Sequence, residues 1–243
     1  MFITIKYINH SGFLIENDKI ILLIDCCGLN NKSTELQQHA GKRLYILVSH
    51  AHGDHFDPGI LSIDGTGRKY ILSSDIRRKI KKQDNIQFLR KGEVYQDDLV
   101  NIKAYGSTDV GVSFYIETDG YRIFHAGDLN NWHWNEEETP EDAAKNEKAY
   151  QDELEYIARE VHTIDAVIFP VDPRLGKDYT LGAEQFLDRI KTGLFIPMHF
   201  WGNFGAALAF KHSAEKRGCD FAEINSAGDE FIIRSYNADK KLF

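Results

Sequence analysis

Short apolar runs separated by polar turns recur along this chain and predict many β-strands. Residues 2–7 alternate apolar and polar side chains, which is typical of a half-buried strand. Strands over 12–16 and 19–25 follow, and Asn17-Asp18 between them is a turn signal. Further along, Asp119-Gly120 is a strong hairpin turn. The first half of the chain is therefore predicted to be rich in hairpins.

Later segments add helices between the strands. The remaining predicted strands cover 44–48, 69–72, 86–89, 99–105, 112–117, 121–125, 166–170, 194–198, 221–224 and 230–234. Helices are predicted after Pro58, over 76–82 with Asp75 as cap, from the acidic segment 135–150 to Val161, and over 181–190 and 206–216. Residues 30–43 are polar and predict a loop or short helix. Two β-rich sheets flanked by helices account for this order, and no linker divides it, so residues 1–243 are predicted to form one domain.

Composition narrows the class of protein. The chain has 243 residues, 42% of them hydrophobic, and a net charge of −8. That charge argues against general nucleic-acid binding, which needs clustered Lys and Arg. Three cysteines, Cys26, Cys27 and Cys219, provide no disulfide framework. With no signal-peptide pattern and no apolar run of membrane-spanning length, we expect a cytoplasmic protein that binds no membrane.

The densest candidate chemistry lies directly after the apolar run 44–48. His50, His52, Asp54 and His55 fall within six residues. Imidazole nitrogens and carboxylate oxygens are ligands that zinc prefers. Crowded together without a cation, these groups would leave buried polar atoms unpaired. The alternative is a polar surface loop that happens to be rich in histidine.

This cluster matches the pattern His-x-His-x-Asp-His and resembles the metallo-β-lactamase superfamily of metal-dependent hydrolases. The resemblance implies an α/β fold, a four-layer αββα sandwich. It also implies ligand roles: His50 and His52 on a first metal, Asp54, His55 and His199 on a second, and Asp128 bridging the two. Asp128 and His199 both follow apolar strands, so they can meet the cluster at one edge. Asp54 and Asp128 are the predicted catalytic residues, Asp54 orienting water and shuttling protons.

One ligand of the family pattern is missing. Where the superfamily has a Gly-His pair, this chain has Gly106-Ser107, and a hydroxyl is a poor zinc ligand. His133 is the first candidate substitute and His10 the next. The alternatives are a structural or substrate-contacting His133, and a His10 that supports the site loop. One or two ions are therefore expected, most plausibly Zn²⁺, with Mn and Fe as the other candidates.

The sequence defines the substrate side of the site less closely. The segments 10–15 and 178–180 resemble the branch of ascorbate-phosphate lactonase-like hydrolases. Aromatic residues at the rim either line a substrate pocket or cover the sheet edges. Arg174 could pair with an anionic substrate group or with Asp172. The candidate substrate contacts are His10, His133, Arg174 and Trp201.

The resemblance implies a hydrolase in which a metal-bound hydroxide cleaves an ester, lactone or phosphodiester-type bond of a small molecule. The alternative is a metal-binding protein of the same fold with little or no hydrolytic activity. A di-iron redox site is a third reading. Substrate, native metal and oligomeric state do not follow from the sequence.

Overall fold

A computed structural model describes residues 2–29, 41–63, 67–81 and 83–235. Most of the loop or short helix predicted over 30–43, and the last residue of the helix predicted over 76–82, lie outside these residues. Within them the chain folds into two β-sheets that pack face to face.

The first sheet contains the N-terminal strands and one strand from the C-terminal end. Its described strands are β1 Ile3–Asn9, β2 Gly12–Glu16, β3 Ile20–Ile24, β4 Arg43–Val48, β5 Lys69–Ser73, β6 Ile86–Leu89 and β14 Glu230–Ile233. Their order is β14-β1-β2-β3-β4-β5-β6. Neighbours from β14 to β3 are antiparallel, and those from β3 to β6 are parallel.

The second sheet repeats this arrangement. Its described strands are β7 Val94–Gln96, β8 Asn101–Tyr105, β9 Ser113–Thr118, β10 Tyr121–His125, β11 Thr163–Pro170, β12 Lys191–Met198 and β13 Asp220–Phe221. Neighbours from β7 to β10 are antiparallel, and those from β10 to β13 are parallel. Parallel strands place their carboxyl ends at one edge of a sheet, which is where ligands bind in α/β folds.

Alternation along the strands builds the core. In β3, Leu22 and Ile24 face the second sheet and join Phe114 and Ile123 in the large apolar cluster between the sheets. The residues between them, Ile21 and Leu23, join a second cluster on the outer face of the first sheet. Strand β3 is buried on both faces, which explains its uninterrupted apolar sequence.

Helices cover the outer faces. They are α1 Pro140–Ala158, α2 Leu181–Arg189, α3 Phe204–Ala209 and α4 Lys211–Lys216, with 3-10 helices Pro58–Ser62, Ser74–Arg78 and Pro173–Asp178. Buried residues of α1, such as Leu154 and Ile157, pack into the large cluster. The first sheet is covered by Ile60 and Ile76 of two 3-10 helices. The layered α/β sandwich expected from the sequence is confirmed.

Three element predictions are corrected. The helix expected over 206–216 is two short helices that meet at Phe210. The helix expected to start at Asp75 is the 3-10 helix Ser74–Arg78, and Asp75 does not cap it but accepts a hydrogen bond from the Ala51 N–H (2.9 Å). Strand β7 was not predicted, because its side chains are mostly exposed and carry a weak apolar signal.

Candidate metal centre

The carboxylate of Asp128 lies at the centre of the predicted ligand cluster. It follows β10, and its Oδ2 is 3.3 Å from His50 Nε2. Its Oδ1 is 3.1 Å from His55 Nε2 and 3.5 Å from His199 Nε2. Strand tips from both sheets thus bring these four side chains together. One Asp128 oxygen faces His50, and the other faces His55 and His199.

Eight side chains form two candidate ligand groups, and the four ligand atoms of each group lie within 4.8 Å of one another. The first group consists of His50, His52, Asp109 and Asp128, and the second of His10, Asp54, His55 and His199. Each of the six residues predicted as ligands belongs to either the first or the second group.

Several of these donor atoms are buried and have no hydrogen-bond partner. They are His50 Nε2, His55 Nε2, His10 Nε2 and Asp128 Oδ1. A buried polar atom without a partner costs about 1–3 kcal/mol. A divalent cation in each group would satisfy these atoms with ligand types that suit it. The residues present therefore fit two cations.

The candidate substitute for the missing imidazole is the carboxylate of Asp109, and the contacts of His133 fit the structural role that was one of its alternatives. Both ring nitrogens of His133 have backbone partners: Nδ1 accepts from the Asn135 N–H (3.1 Å) and Nε2 donates to the Asp178 carbonyl (3.2 Å). Asp109 instead places Oδ2 3.5 Å from His52 Nδ1. The signal was available, since Asp109 stands two residues after Ser107.

His10 also differs from its predicted place. It follows β1 and joins the second group, where its Nε2 lies 3.3 Å from Asp54 Oδ2. The His10 carbonyl accepts a hydrogen bond from the His199 N–H (3.2 Å), which ties the first strand to the tip of β12. His10 and His199 both adopt positive φ, 35° and 60°. Such strained backbone clusters at functional sites.

Two buried carboxylates contact candidate ligand histidines with which the sequence did not pair them. Asp25 Oδ2 lies 2.8 Å from His55 Nδ1, and Asp172 Oδ2 lies 2.8 Å from His199 Nδ1. Asp25 also accepts hydrogen bonds from the Ser49 N–H (2.8 Å) and hydroxyl (2.6 Å). Carboxylates of this kind fix the tautomer of a ligand histidine, so that Nε2 faces the metal. Asp25 and Asp172 each follow a parallel strand, and this position is the sequence signal that could have identified them.

Burial and neighbouring charges shift the pKa values of the clustered side chains in opposite directions. Burial alone would lower the pKa of His55, but the carboxylates of Asp25 and Asp128 raise it to about 10. Burial would raise the pKa of Asp128, yet the adjacent imidazole of His55 and its charge hold it below its usual range. The pKa of Asp54 is lowered, chiefly by the His10 imidazole beside its carboxylate. Cations that replace the imidazole protons would meet carboxylates that are already ionised.

Two glycines allow the chain to pass close beneath the first group. A Cβ on Gly111 (φ +81°) would lie 2.1 Å from the Ser49 carbonyl oxygen and 2.5 Å from His50 Cβ. A Cβ on Gly127 (φ +53°) would lie 2.8 Å from Ser49 Cβ. The segments that carry Asp109 and Asp128 therefore approach residues 49–55, the cluster loop, only because Gly111 and Gly127 lack a side chain.

A pocket of about 460 Å³ opens over both groups. All three tryptophans of the chain, Trp132, Trp134 and Trp201, line it, together with Arg174. Of the predicted substrate contacts, Trp201 and Arg174 line this pocket, whereas His133 is buried and does not line it, and contact with a substrate stays a prediction for each. Arg174 pairs with Asp172, one of the two partners considered for it, at 2.5 Å from Nη2 to Oδ2.

Comparison with known families follows from this fold and ligand arrangement. A two-sheet α/β sandwich with paired His/Asp groups at the strand tips defines a class of metal-binding domains. The family model described as "Beta-lactamase superfamily domain" matches residues 4–143, more than half of the chain. The chain belongs to this family.

Individual relatives are more distant. The UPF0173 metal-dependent hydrolase of Thermococcus kodakarensis is 26% identical over 213 residues, which cover 82% of this chain and 84% of that protein. Two solved structures share the fold. Igni18, a metallo hydrolase from Ignicoccus hospitalis, has 17% identity and a TM-score of 0.67 over 97% of this chain and all of that one. CmlA, a diiron β-hydroxylase from Streptomyces venezuelae, has 10% identity and a TM-score of 0.60 over 96% of this chain and 54% of that one.

The comparisons bear on the superfamily, and the narrower resemblance to ascorbate-phosphate lactonase-like hydrolases stays a prediction. Within the described residues, no helix combines the length and the apolar character that crossing a membrane requires. The cysteines among them are free.

Proposed function

We propose that this protein is a metal-dependent hydrolase of small molecules, in which each of the two ligand groups would hold a cation. The observation that carries the proposal is the set of buried, unpartnered donor atoms aimed at two common centres. The naming of its relatives as metal-dependent hydrolases supports the same reaction class.

The two groups differ in ligand chemistry. The second group offers three imidazoles and one carboxylate, a set that suits Zn²⁺. The first offers two imidazoles and two carboxylates, and the added oxygen makes harder ions such as Mn²⁺ or Fe²⁺ better candidates there. A bound divalent cation supplies acidity, since it lowers the pKa of a water molecule toward neutrality.

The protein's own residues would orient the ligand histidines, surround the substrate and move protons. Asp25 and Asp172 fix the rings of His55 and His199. Asp54 keeps about a third of its side chain exposed and lines the pocket, so it is placed to orient a water molecule and to relay a proton. The three tryptophans line the same pocket and would contact the substrate. An ester, lactone or phosphodiester bond is the proposed target.

The test combines metal analysis with a substrate screen. Protein stripped by a chelator and reloaded with Zn²⁺, Mn²⁺ or Fe²⁺ is assayed on phosphodiester, lactone and thioester panels. His55→Ala and Asp128→Ala should abolish metal-dependent turnover. His162→Ala, an exposed histidine at the start of β11, serves as the matched control and should keep it. Two bound ions with no turnover on any panel would instead favour a metal-binding protein without hydrolytic activity.

The cytoplasmic location and the absence of nucleic-acid and membrane partners remain part of this proposal. The net charge of −8 and the small number of cysteines support them. Cell fractionation with an antibody against the protein checks the location, and recovery in the membrane or extracellular fraction would contradict it.

A further inference from the structure

We propose that Arg174 and the tryptophans beside it form an oxyanion subsite next to the metal centre. The substrate would then carry a carboxylate or phosphate group a short distance from the bond that is cleaved. This inference rests on the proposed function and adds to it the class of substrate.

Arg174 is held rigidly with one edge left free. Its Nε and Nη2 donate to the carboxylate of Asp172, at 3.0 and 2.5 Å. Its Cζ lies 4.4 Å from the ring centroid of Trp201 and 5.9 Å from that of Trp134. Nη1 has no hydrogen-bond acceptor among the described residues, and 48% of the side chain is exposed. A guanidinium fixed on one edge and supported by aromatic rings is preorganised to bind an oxyanion with the other.

Around the pocket, Arg174 is the cationic side chain that remains to contact an anion. Arg174 is the one Lys or Arg among the described residues that line the pocket, and the carboxylates of Asp54, Asp109 and Asp128 are the groups that would bind cations. Once they do so, their charge is compensated, and the donors of Nη1 remain for the substrate. The hydrogen bond and charge of Asp172, with smaller contributions from Asp128 and Asp54, raise the pKa of Arg174.

Asp172 also connects this subsite to the metal centre. Its carboxylate is fully buried and accepts from Arg174, from His199 and from the Trp201 indole N–H (3.3 Å). A group bound at Arg174 therefore has a fixed position relative to His199. This geometry limits the substrate to molecules short enough to span one pocket of about 460 Å³.

A matched pair of esters tests the subsite. p-Nitrophenyl butyrate and p-nitrophenyl hemisuccinate have similar chain length and the same leaving group, and only the second carries a terminal carboxylate. The metal-loaded protein should favour the hemisuccinate in kcat/KM. Arg174→Met should lower the ratio of the two kcat/KM values by about 10- to 100-fold, the usual effect of losing a charge-assisted hydrogen bond. Arg174→Lys should restore part of the preference, and Arg78→Gln, an exposed arginine outside the pocket, should leave it unchanged.

Tryptophan fluorescence supplies a readout independent of turnover. Because all three tryptophans line the pocket, a change in emission during titration with succinate reports binding there. Inorganic phosphate in a parallel titration shows which oxyanion binds more tightly. Arg174→Met should weaken the tighter of the two by about 10-fold, and thermal unfolding verifies that the variant folds.

The outcomes separate this inference from the proposed function. An equal loss on both esters, or succinate binding unchanged in Arg174→Met, would mean that Arg174 only positions Asp172 and would overturn the subsite. If neither ester is hydrolysed, the fluorescence titrations decide: oxyanion binding that depends on Arg174 supports the subsite even though the proposed hydrolysis fails.

Discussion

Asp109 gives the first ligand group a carboxylate oxygen 3.5 Å from His52 Nδ1. If it binds a cation, Asp109→Ala should lower the affinity of that group by about 10- to 100-fold or more, since even partners that only orient a ligand contribute this much. Metal content and competition with a chromophoric chelator measure the change. Asp98→Ala, which removes an exposed carboxylate outside the centre, is the control. Two tightly bound ions in Asp109→Ala would leave Asp109 as a residue of the pocket rim.

Asp25 offers a second prediction at this scale. Asp25→Asn keeps the shape of the side chain but removes the charge that orients His55. We expect the affinity of the second group to fall by about 10- to 100-fold. Cobalt substitution followed by absorption spectroscopy should show a perturbed second site. Unchanged spectra and affinity would argue that the Ser49 contacts alone hold the loop in place.

Short-range patterns revealed only part of this site. His50, His52, Asp54 and His55 were found because they share one loop, and their dense spacing is itself the signal. The contacts of Asp25 and Asp172 with histidines were missed because nothing near either aspartate in sequence marks the partner, which lies 30 or 27 positions away. The hydrogen bonds that occupy both nitrogens of a ring, as in His133, depend on tertiary structure.

At the scale of elements, the close approach at Gly111 can be separated from its backbone conformation. Gly111→Ala combines positive φ with a clash against the Ser49 carbonyl. Gly120→Ala has nearly the same φ, +80°, but its Cβ would meet nothing within 4 Å. We expect about 1–2 kcal/mol of destabilisation for Gly120→Ala and clearly more for Gly111→Ala, together with weaker metal binding. Urea unfolding and metal content measure both, and equal costs would argue against the clash.

Asp97 joins strands of the two sheets. Its Oδ2 accepts hydrogen bonds from Tyr45 of β4 (2.7 Å) and Tyr95 of β7 (2.9 Å), and its Oδ1 accepts from the Leu99 N–H (2.9 Å). Burial would raise the pKa of Asp97, but these hydrogen bonds lower it below 3.8. We expect Asp97→Asn to destabilise the fold by about 2 kcal/mol at pH 7.

The pH dependence of that difference follows from the direction of the shift. A lowered folded-state pKa gives stability that is fully present above the unfolded value near 3.8 and is lost as pH falls through the folded value. The gap between wild type and Asp97→Asn should therefore narrow in acid below about pH 4. Urea unfolding from pH 7 to pH 3 measures it, with Asp98→Asn as control. A gap that widens in acid would contradict this account.

Strand positions were largely predictable, because buried strands carry uninterrupted or alternating apolar residues. The predictions for β6 and β10 agree with the structure over their whole length. The type of a short helix was not predictable. The 3-10 helix Ser74–Arg78 is only five residues long, so the composition that predicts a helix does not determine its type.

At the scale of the molecule, the two sheets have the same order of connections. Each runs through antiparallel neighbours into parallel ones, and β14 returns from the second half to complete the edge of the first sheet. The cluster loop follows β4 of the first sheet, whereas Asp128 and His199 follow β10 and β12 of the second. The candidate metal centre therefore lies at the seam, the line where the strand ends of the two sheets meet. No local pattern in the sequence predicts this arrangement.

Cations at this seam should stabilise the whole fold. A ligand present at 100 times its Kd contributes about 2.7 kcal/mol to the folded state, and each kcal/mol shifts Tm by about 2–4 °C in a domain of this size. Removal of one cation should thus lower Tm by about 5–10 °C, and removal of both by a chelator about twice as much. Asp128→Ala, which removes a carboxylate of the first group whose Oδ1 also lies 3.1 Å from His55 of the second, should show less than half of this shift. Differential scanning calorimetry measures both proteins. A wild-type Tm that is the same before and after verified metal removal would show that the seam is held by protein contacts alone.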